Sequence, residues 1–300
     1  MNKGVLYALG AYFLWGLFPL YWKNLQDVPP VEILSHRIVW SLLFLLGFLA
    51  VKRHWGWLRP ALGNGKILLS SLLTAVLLGS NWLIYIFGVN TGRIVETSLG
   101  YFINPLVSVL LGMIFLREAL RRGQWLAIGL AALGVLYLTV SVGALPWLSL
   151  VLAFSFGFYG LIRKTAVLNS QEGLTLEMGW LVLPAAGYLL YVQAQGTAAF
   201  ARNGLATTVL LLLAGVATAV PLLLFAAGAR LIPLATIGFL QYLAPTLQFL
   251  IGVFVYGEAF PPARMVGFSI IWLALALYSV EGIVASRRQA RLAKCAGTCG

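Results

Sequence analysis

Charge is what this 300-residue chain has least of. Asp, Glu, Lys and Arg together make up 9% of it, and only 8 of these residues are acidic. A soluble chain of this length cannot coat its surface with so few ionic groups, which excludes a water-soluble globular protein. There are two histidines, His36 and His54, too few ligands for a zinc site. The two cysteines, Cys295 and Cys299, stand in the closing KCAGTCG without partner histidines, so neither a metal site nor a disulfide framework is indicated and their role stays open. No G-x-x-x-x-G-K-[ST] phosphate loop is present, which argues against ATP hydrolysis by this chain, and no cofactor is implied. Ten-residue alternation of apolar and polar residues is missing too, which rules against an outer-membrane barrel.

Apolar residues fill the gap. They make up 61% of the chain, and the mean hydropathy is +0.94. A helix needs about 20 of them to span the hydrocarbon core, where every backbone polar group must be paired internally. Ten such runs are predicted, at 4–22, 31–51, 67–88, 93–116, 122–141, 145–162, 173–193, 205–229, 232–256 and 263–285. The fold class read from them is an all-α integral membrane protein of ten transmembrane helices with a basic tail at 286–300.

The net charge of +12 is an orientation signal. If both termini lie in the cytoplasm, fifteen of the 20 Lys and Arg fall in the inner links or at the span ends beside them, four likewise on the outer side, and Arg37 alone lies in the interior of a span. That bias predicts a multi-pass protein of the cytoplasmic membrane with both ends inside. The inner charges suit anionic lipid headgroups, and no nucleic-acid motif accompanies them. MNK before an apolar run resembles a secretory signal. The run is nearly twenty residues long and lacks a small-x-small cleavage site, so an uncleaved first span is expected.

The chain echoes itself. GYFINPLVSVLLGMIFLREAL at 100–120 returns 140 residues later as LQYLAPTLQFLIGVFVYGEAF, setting Pro105 on Pro245, Gly112 on Gly252 and Glu118 on Glu258. Trp40 falls on Trp180 and Gly88 on Gly228 at the same offset, while Gly16 meets Gly157 and Lys23 meets Lys164 at an offset of 141. Five spans per half force the second copy to enter from the opposite face. The expected units are therefore 1–143 and 144–285, an inverted repeat of the kind that supports alternating access.

SHRIVWS (35–41), GVNTGRIVETSLGYFINPL (88–106) and FLREALRRGQWLAIGLAALGV (115–135) resemble the EamA-type members of the drug/metabolite transporter superfamily, in particular their RarD branch. The second half departs from the pattern: PPAR replaces RRGQ, and Ala244 stands where the first half has Asn104. The resemblance implies ten helices, an inverted repeat of five, a cytoplasmic-membrane location and a secondary carrier, often an exporter.

Several polar residues are expected deep in the bilayer. Arg37 lies about 10 Å along its span and needs a partner or a wet cavity, with Glu96 the expected partner. At the offset of 140 it falls on Glu177, so a cation sits toward one face and an anion toward the other. Such an arrangement suits an ampholytic solute or a proton-coupled cycle. Tyr101, Asn104 and Pro105, with Gln241, Tyr242 and Pro245 in the inverted copy, mark loosened mid-span helix, since proline removes a backbone hydrogen bond. Asn81, Trp82, Tyr85, Trp40, Trp180 and Tyr159 are expected to wall a cavity for flat, weakly polar or cationic solutes, against the alternative of ordinary interhelical bonds. Glu118 and Glu258 are expected to cap the helix that follows each. Gly112, Gly129, Gly134 and Gly252 read as close helix packing, and His36 need not share a cavity with Arg37.

The leading function is a secondary transporter, an exporter of small organic metabolites or drugs, driven by a proton or counter-solute gradient. Two alternatives stay open: an intramembrane enzyme, for which Ser35 and His36 lack a third group, and a passive channel or membrane interaction subunit, which lacks a charged ring. Homodimer formation is left open.

Overall fold

A chain in lipid satisfies its backbone most simply as helix. In the computed structural model the described residues are 2–90, 94–142, 147–256 and 265–284 (except 268, 275, 279 and 283), and no strand occurs among them. Helix α1 (Lys3–Gly16) starts on the side chain of Asn2, which accepts the Gly4 N–H at 2.9 Å. It passes through Leu17 into the short α2 (Phe18–Trp22), with Pro19 in its first turn, and a 3-10 turn at Lys23–Leu25. Then follow α3 (Pro30–Val51), α4 (Leu58–Leu62), α5 (Gly65–Asn90), α6 (Ile94–Leu116), α7 (Arg122–Val142), α8 (Trp147–Thr165), α9 (Ser170–Ala194) and α10 (Leu205–Leu231). The next segment is split into α11 (Leu234–Gln241) and α12 (Leu243–Leu250), ending in a π-helical turn at Ile251–Val255.

Seven helices among the described residues are long and apolar enough to cross a membrane: Lys3–Leu25, Pro30–Val51, Gly65–Tyr85, Arg122–Val140, Ser170–Ala194, Leu205–Leu231 and Met265–Gly282. Ten were expected, and the other three segments differ for visible reasons. Helix α6 is 23 residues long, and the side chains of 94–99 lie outside the described residues, which leaves Gly100–Leu116 as its described apolar stretch. Helix α8 spends positions on Ser149, Ser155, Tyr159, Arg163 and Lys164. The α11–α12 segment breaks at Tyr242, because Pro245 has no N–H to offer the Gln241 carbonyl and Tyr242 N–H turns to Phe239 O at 3.3 Å.

Helix α10 packs on α1 and α3, α3 on α9, α5 on α8 and α9, α6 on α8 and α11, and α1 on α11 and α12. Lipid supplies no hydrophobic drive between helices, so close approach and interhelical bonds hold them together. At the α3–α10 crossing a Cβ on Gly215 would lie 2.3 Å from the Trp40 carbonyl carbon, and Ser41 Oγ donates to Gly215 O at 3.0 Å. Tyr12, Leu45, Leu78, Tyr159, Met178 and Phe225 fill the interior. Leu126, Val140, Leu183, Leu190 and Phe254 point outward, as a lipid-facing surface requires.

Candidate functional site

Two charged clusters lie at mirrored depths. Call the end of the bundle where α1 begins the N-terminal end, and the other the far end. Arg37 is seven residues into α3, about 10 Å from the far end. Its Nε donates to Thr218 Oγ1 of α10 at 2.9 Å. Its guanidinium carbon lies 4.9 Å from the Trp22 ring and 4.8 Å from the Trp82 ring, held between two indoles. Each such contact contributes about 0.5–2 kcal/mol, against the roughly 2.5–3.5 kcal/mol that an arginine costs at mid-membrane. Tyr21, Tyr85 and Tyr101 lie within electrostatic reach, and the rings of Tyr85 and Tyr101 are 5.9 Å apart. The expected partner Glu96 has its side chain outside the described residues. Among the described residues no carboxylate pairs with Arg37.

Glu177 is seven residues into α9, about 10 Å from the N-terminal end. It faces Arg163 at 3.6 Å, both side chains at most 2% exposed, and accepts Tyr159 O–H at 3.2 Å. Arg163 also donates to the carbonyls of Asn169 and Ser170 at 3.4 and 3.0 Å. Gly173 makes room for it: a Cβ there would lie 1.8 Å from Arg163 Nη1. Beside the pair is a crevice of about 10 Å³, lined by Ser70, Ser71, Thr74 and Gly173, with room for about one water. The sequence reading counted Arg163 among the link charges. Helix α8 instead runs on to Thr165 and carries it into the interior.

At the N-terminal end Glu118 reaches across to α11. Its carboxylate accepts Leu234 N–H at 2.8 Å and Ala235 N–H at 3.1 Å and lies 3.6 Å from Lys164 Nζ. It therefore caps α11, in the other half of the chain, and the expectation that it caps the following helix is corrected. The cause is local. Arg117 adopts φ 53°, and Glu118 N–H bonds back to Gly112 O at 3.1 Å, a left-handed turn that throws the side chain across the bundle. The following helix α7 has its own cap, Gln124 Oε1 accepting Arg121 N–H at 2.9 Å. Gly112 leaves space for the carboxylate, since a Cβ there would lie 2.7 Å from Glu118 Oε2. Lys164 Nζ donates to the carbonyls of Ala229 and Ile232. Nearby, His54 Nε2 lies 2.8 Å from Glu172 Oε1, tying the α3–α4 link to the start of α9.

Between the clusters, α6 and α11 cross. Tyr242 O–H donates to Phe102 O at 3.2 Å, and a Cβ on Gly238 would lie 2.6 Å from Pro105 O. Asn104 Oδ1 and Gln241 Oε1 are buried here without a hydrogen-bond partner among the described residues. Tyr12 Oη, Glu32 Oε2, His36 Nε2, Arg163 Nε and Glu177 Oε1 share this condition among the described residues.

Of the other expected cavity residues, Tyr85 and Tyr101 join Arg37, and Tyr159 joins Glu177. Asn81 bonds Leu152 O and Ser155 Oγ of α8 at 2.9 and 2.8 Å, Trp180 bonds Ser71 Oγ at 3.1 Å, and Trp40 bonds His36 Nδ1 at 3.0 Å. These three hold helices together or brace their own helix. His36 stacks on Phe200, away from the Arg37 box. Gly129 meets nothing within 4 Å of a built Cβ, so the expected close packing is absent there. Glu258 lies outside the described residues, as do Cys295 and Cys299. Thr218, Trp22 and Arg163 went unforeseen, although the 141 offset does set Trp22 on Arg163.

The profile of the EamA-like transporter family matches residues 2–140. Protein RarD of Streptomyces exfoliatus is 48% identical over 99% of this chain and 95% of its own length. The chain belongs to the EamA-like transporter family, in its RarD branch. The uncharacterized transporter YojE of Bacillus subtilis is 50% identical over 94% of this chain and 95% of its own length. A crystal structure of another protein, 17% identical, matches with a TM-score of 0.70 over 92% of this chain and 97% of that one, which speaks to the fold. As an EamA-like protein the chain is a multi-pass membrane transporter of the drug/metabolite superfamily rather than an enzyme.

Proposed function

We propose that this transporter is a secondary carrier of small organic solutes, working as an exporter by alternating access between two inverted halves, 1–143 and 144–285. In this reading α6, α8 and the α11–α12 segment complete ten spans, and the N-terminal end faces the cytoplasm, as the positive-charge bias suggests. The observation that carries the proposal is the pairing of helices under exchange of the halves. Swapping α1, α3, α5 and α6 for α8, α9, α10 and α11–α12 turns α1·α10 into α8·α5, α3·α10 into α9·α5, and α6·α8 into α12·α1, all packed pairs. The pairs α3·α9 and α6·α11 map onto themselves. Phe102 and Tyr242, 140 residues apart and hydrogen-bonded to each other, meet where an element touches its own equivalent.

The same exchange supplies the second gate. Glu118 holds the N–H groups of Leu234 and Ala235 beside Lys164 while the cytoplasmic end is closed. At the offset of 140 the counterpart of Glu118 in the sequence is Glu258, which lies outside the described residues. Energy comes from a proton or solute gradient, with Glu177 the group placed to respond to protons. Cysteines at Ser71 and Tyr101, in a chain whose Cys295 and Cys299 are replaced, test the cycle. Glu118→Gln should raise labelling at Ser71 by a membrane-impermeant reagent and lower it at Tyr101. Labelling that rises or falls at both together sinks alternating access.

A further inference from the structure

We propose that Arg37 anchors an anionic group of the cargo, so that the transported solute bears a carboxylate or a comparable oxyanion; this rests on the carrier reading. The molecule holds two deep arginines and treats them differently. Arg163 is given a carboxylate and two backbone carbonyls. Arg37 has one hydroxyl on Nε, and its terminal nitrogens, with four N–H groups, bond to no described residue. Both terminal nitrogens of Arg163 face acceptors, although its Nε has no hydrogen-bond partner among the described residues. Those of Arg37 bond to no described residue, and their planar fork matches the two oxygens of an oxyanion.

The aromatic surroundings point the same way. Indole faces that would attract a cationic solute are already turned to the guanidinium, from Trp22 and Trp82. A solute ammonium would meet a like charge in a poorly screened site. Tyr85 and Tyr101, with hydroxyl donors, stand on the same side, so an anion finds donors and ring edges together. This reverses the sequence expectation of weakly polar or cationic cargo. It also fits the proposed direction, because an interior-negative membrane potential drives an anion outward.

The test uses full-length protein in phosphatidylcholine nanodiscs, and thermal unfolding is read with three matched series: phenylacetate, phenylacetamide and phenethylamine; indole-3-acetate, its amide and tryptamine; hexanoate, hexanamide and hexylamine. At saturating concentrations at least one carboxylate should raise the unfolding temperature by about 2–4 °C while its amide and amine do not. Arg37→Gln should abolish the gain and Arg37→Lys should keep part of it, which separates lost charge from lost fold. Amides or amines that stabilise as well as acids, with Arg37→Gln unaffected, overturn the anion assignment and leave the carrier standing. Stabilisation that needs Arg37 and arises only from added phosphatidylglycerol assigns the site to a lipid headgroup and overturns the cargo claim. If no solute stabilises and a cysteine at Tyr101 never reacts with aqueous reagent, the wet cavity falls, and the proposal with it.

Discussion

The two ends of the bundle are built from equivalent stretches of sequence and carry opposite solutions for a buried charge. Toward the N-terminal end, Glu177 and Arg163 neutralise each other and Tyr159 completes the set. Toward the far end, the position equivalent to Glu177 is Arg37, and the one equivalent to Arg163 is Trp22. The contact survives the exchange: helix still meets helix through these two side chains, as ion pair at one end and as guanidinium on indole at the other. The scaffold thus fixes where two side chains meet and leaves their chemistry free. One end pairs its charge with an internal carboxylate, leaving Arg163 Nε and Glu177 Oε1 without a hydrogen-bond partner among the described residues, and at the other the Arg37 terminal nitrogens bond to no described residue.

The largest effect that would break this comparison is on stability. Removing one partner of a buried ion pair costs about 3–5 kcal/mol, because the other charge is left uncompensated. Arg163→Gln should therefore lower the denaturation midpoint strongly, and Arg163→Met with Glu177→Leu should recover most of the loss. Arg37→Gln, which strands no described carboxylate, should cost far less in the same measurement; equal losses would mean that the two arginines do the same job. A smaller change is expected at the gate. Glu118→Ala removes a cap worth about 0.5–2 kcal/mol and should make backbone amides of the α11 start exchange faster with deuterium. The smallest concerns the crossing between the ends. Tyr242→Phe deletes one hydrogen bond, about 0.6–1.5 kcal/mol, and should leave the balance between the two labelling patterns unchanged.

Much of the fold could be read in the sequence because apolar length and proline act locally. The break at Tyr242 accompanies Pro245, whereas α6 runs unbroken through Pro105, against the expectation of a hinge there, and Phe102 and Tyr242 meet at the 140-residue offset of the echo. The site was less legible, because its partners are distant in sequence. Arg163 looked like a link charge since Lys164 follows it; only the helical spacing from Tyr159, four residues back, sets both on the face that meets Glu177. Thr218 gave no signal, being one hydroxyl in an apolar run. Glu118 was seen as a capping residue, but the left-handed turn at Arg117 that chose its target lies in backbone geometry.

The meeting of Phe102 with Tyr242 has a mechanical consequence. In the proposed cycle, a pair joining matched points of the two halves is the fulcrum of a see-saw: it moves least while both tips swing. Probes fixed there should stay silent through the whole cycle, whereas probes at the tips should change in opposite senses. Wear at a fulcrum adds friction without tilting the beam, so substitutions at this crossing should slow turnover and favour neither side of the membrane.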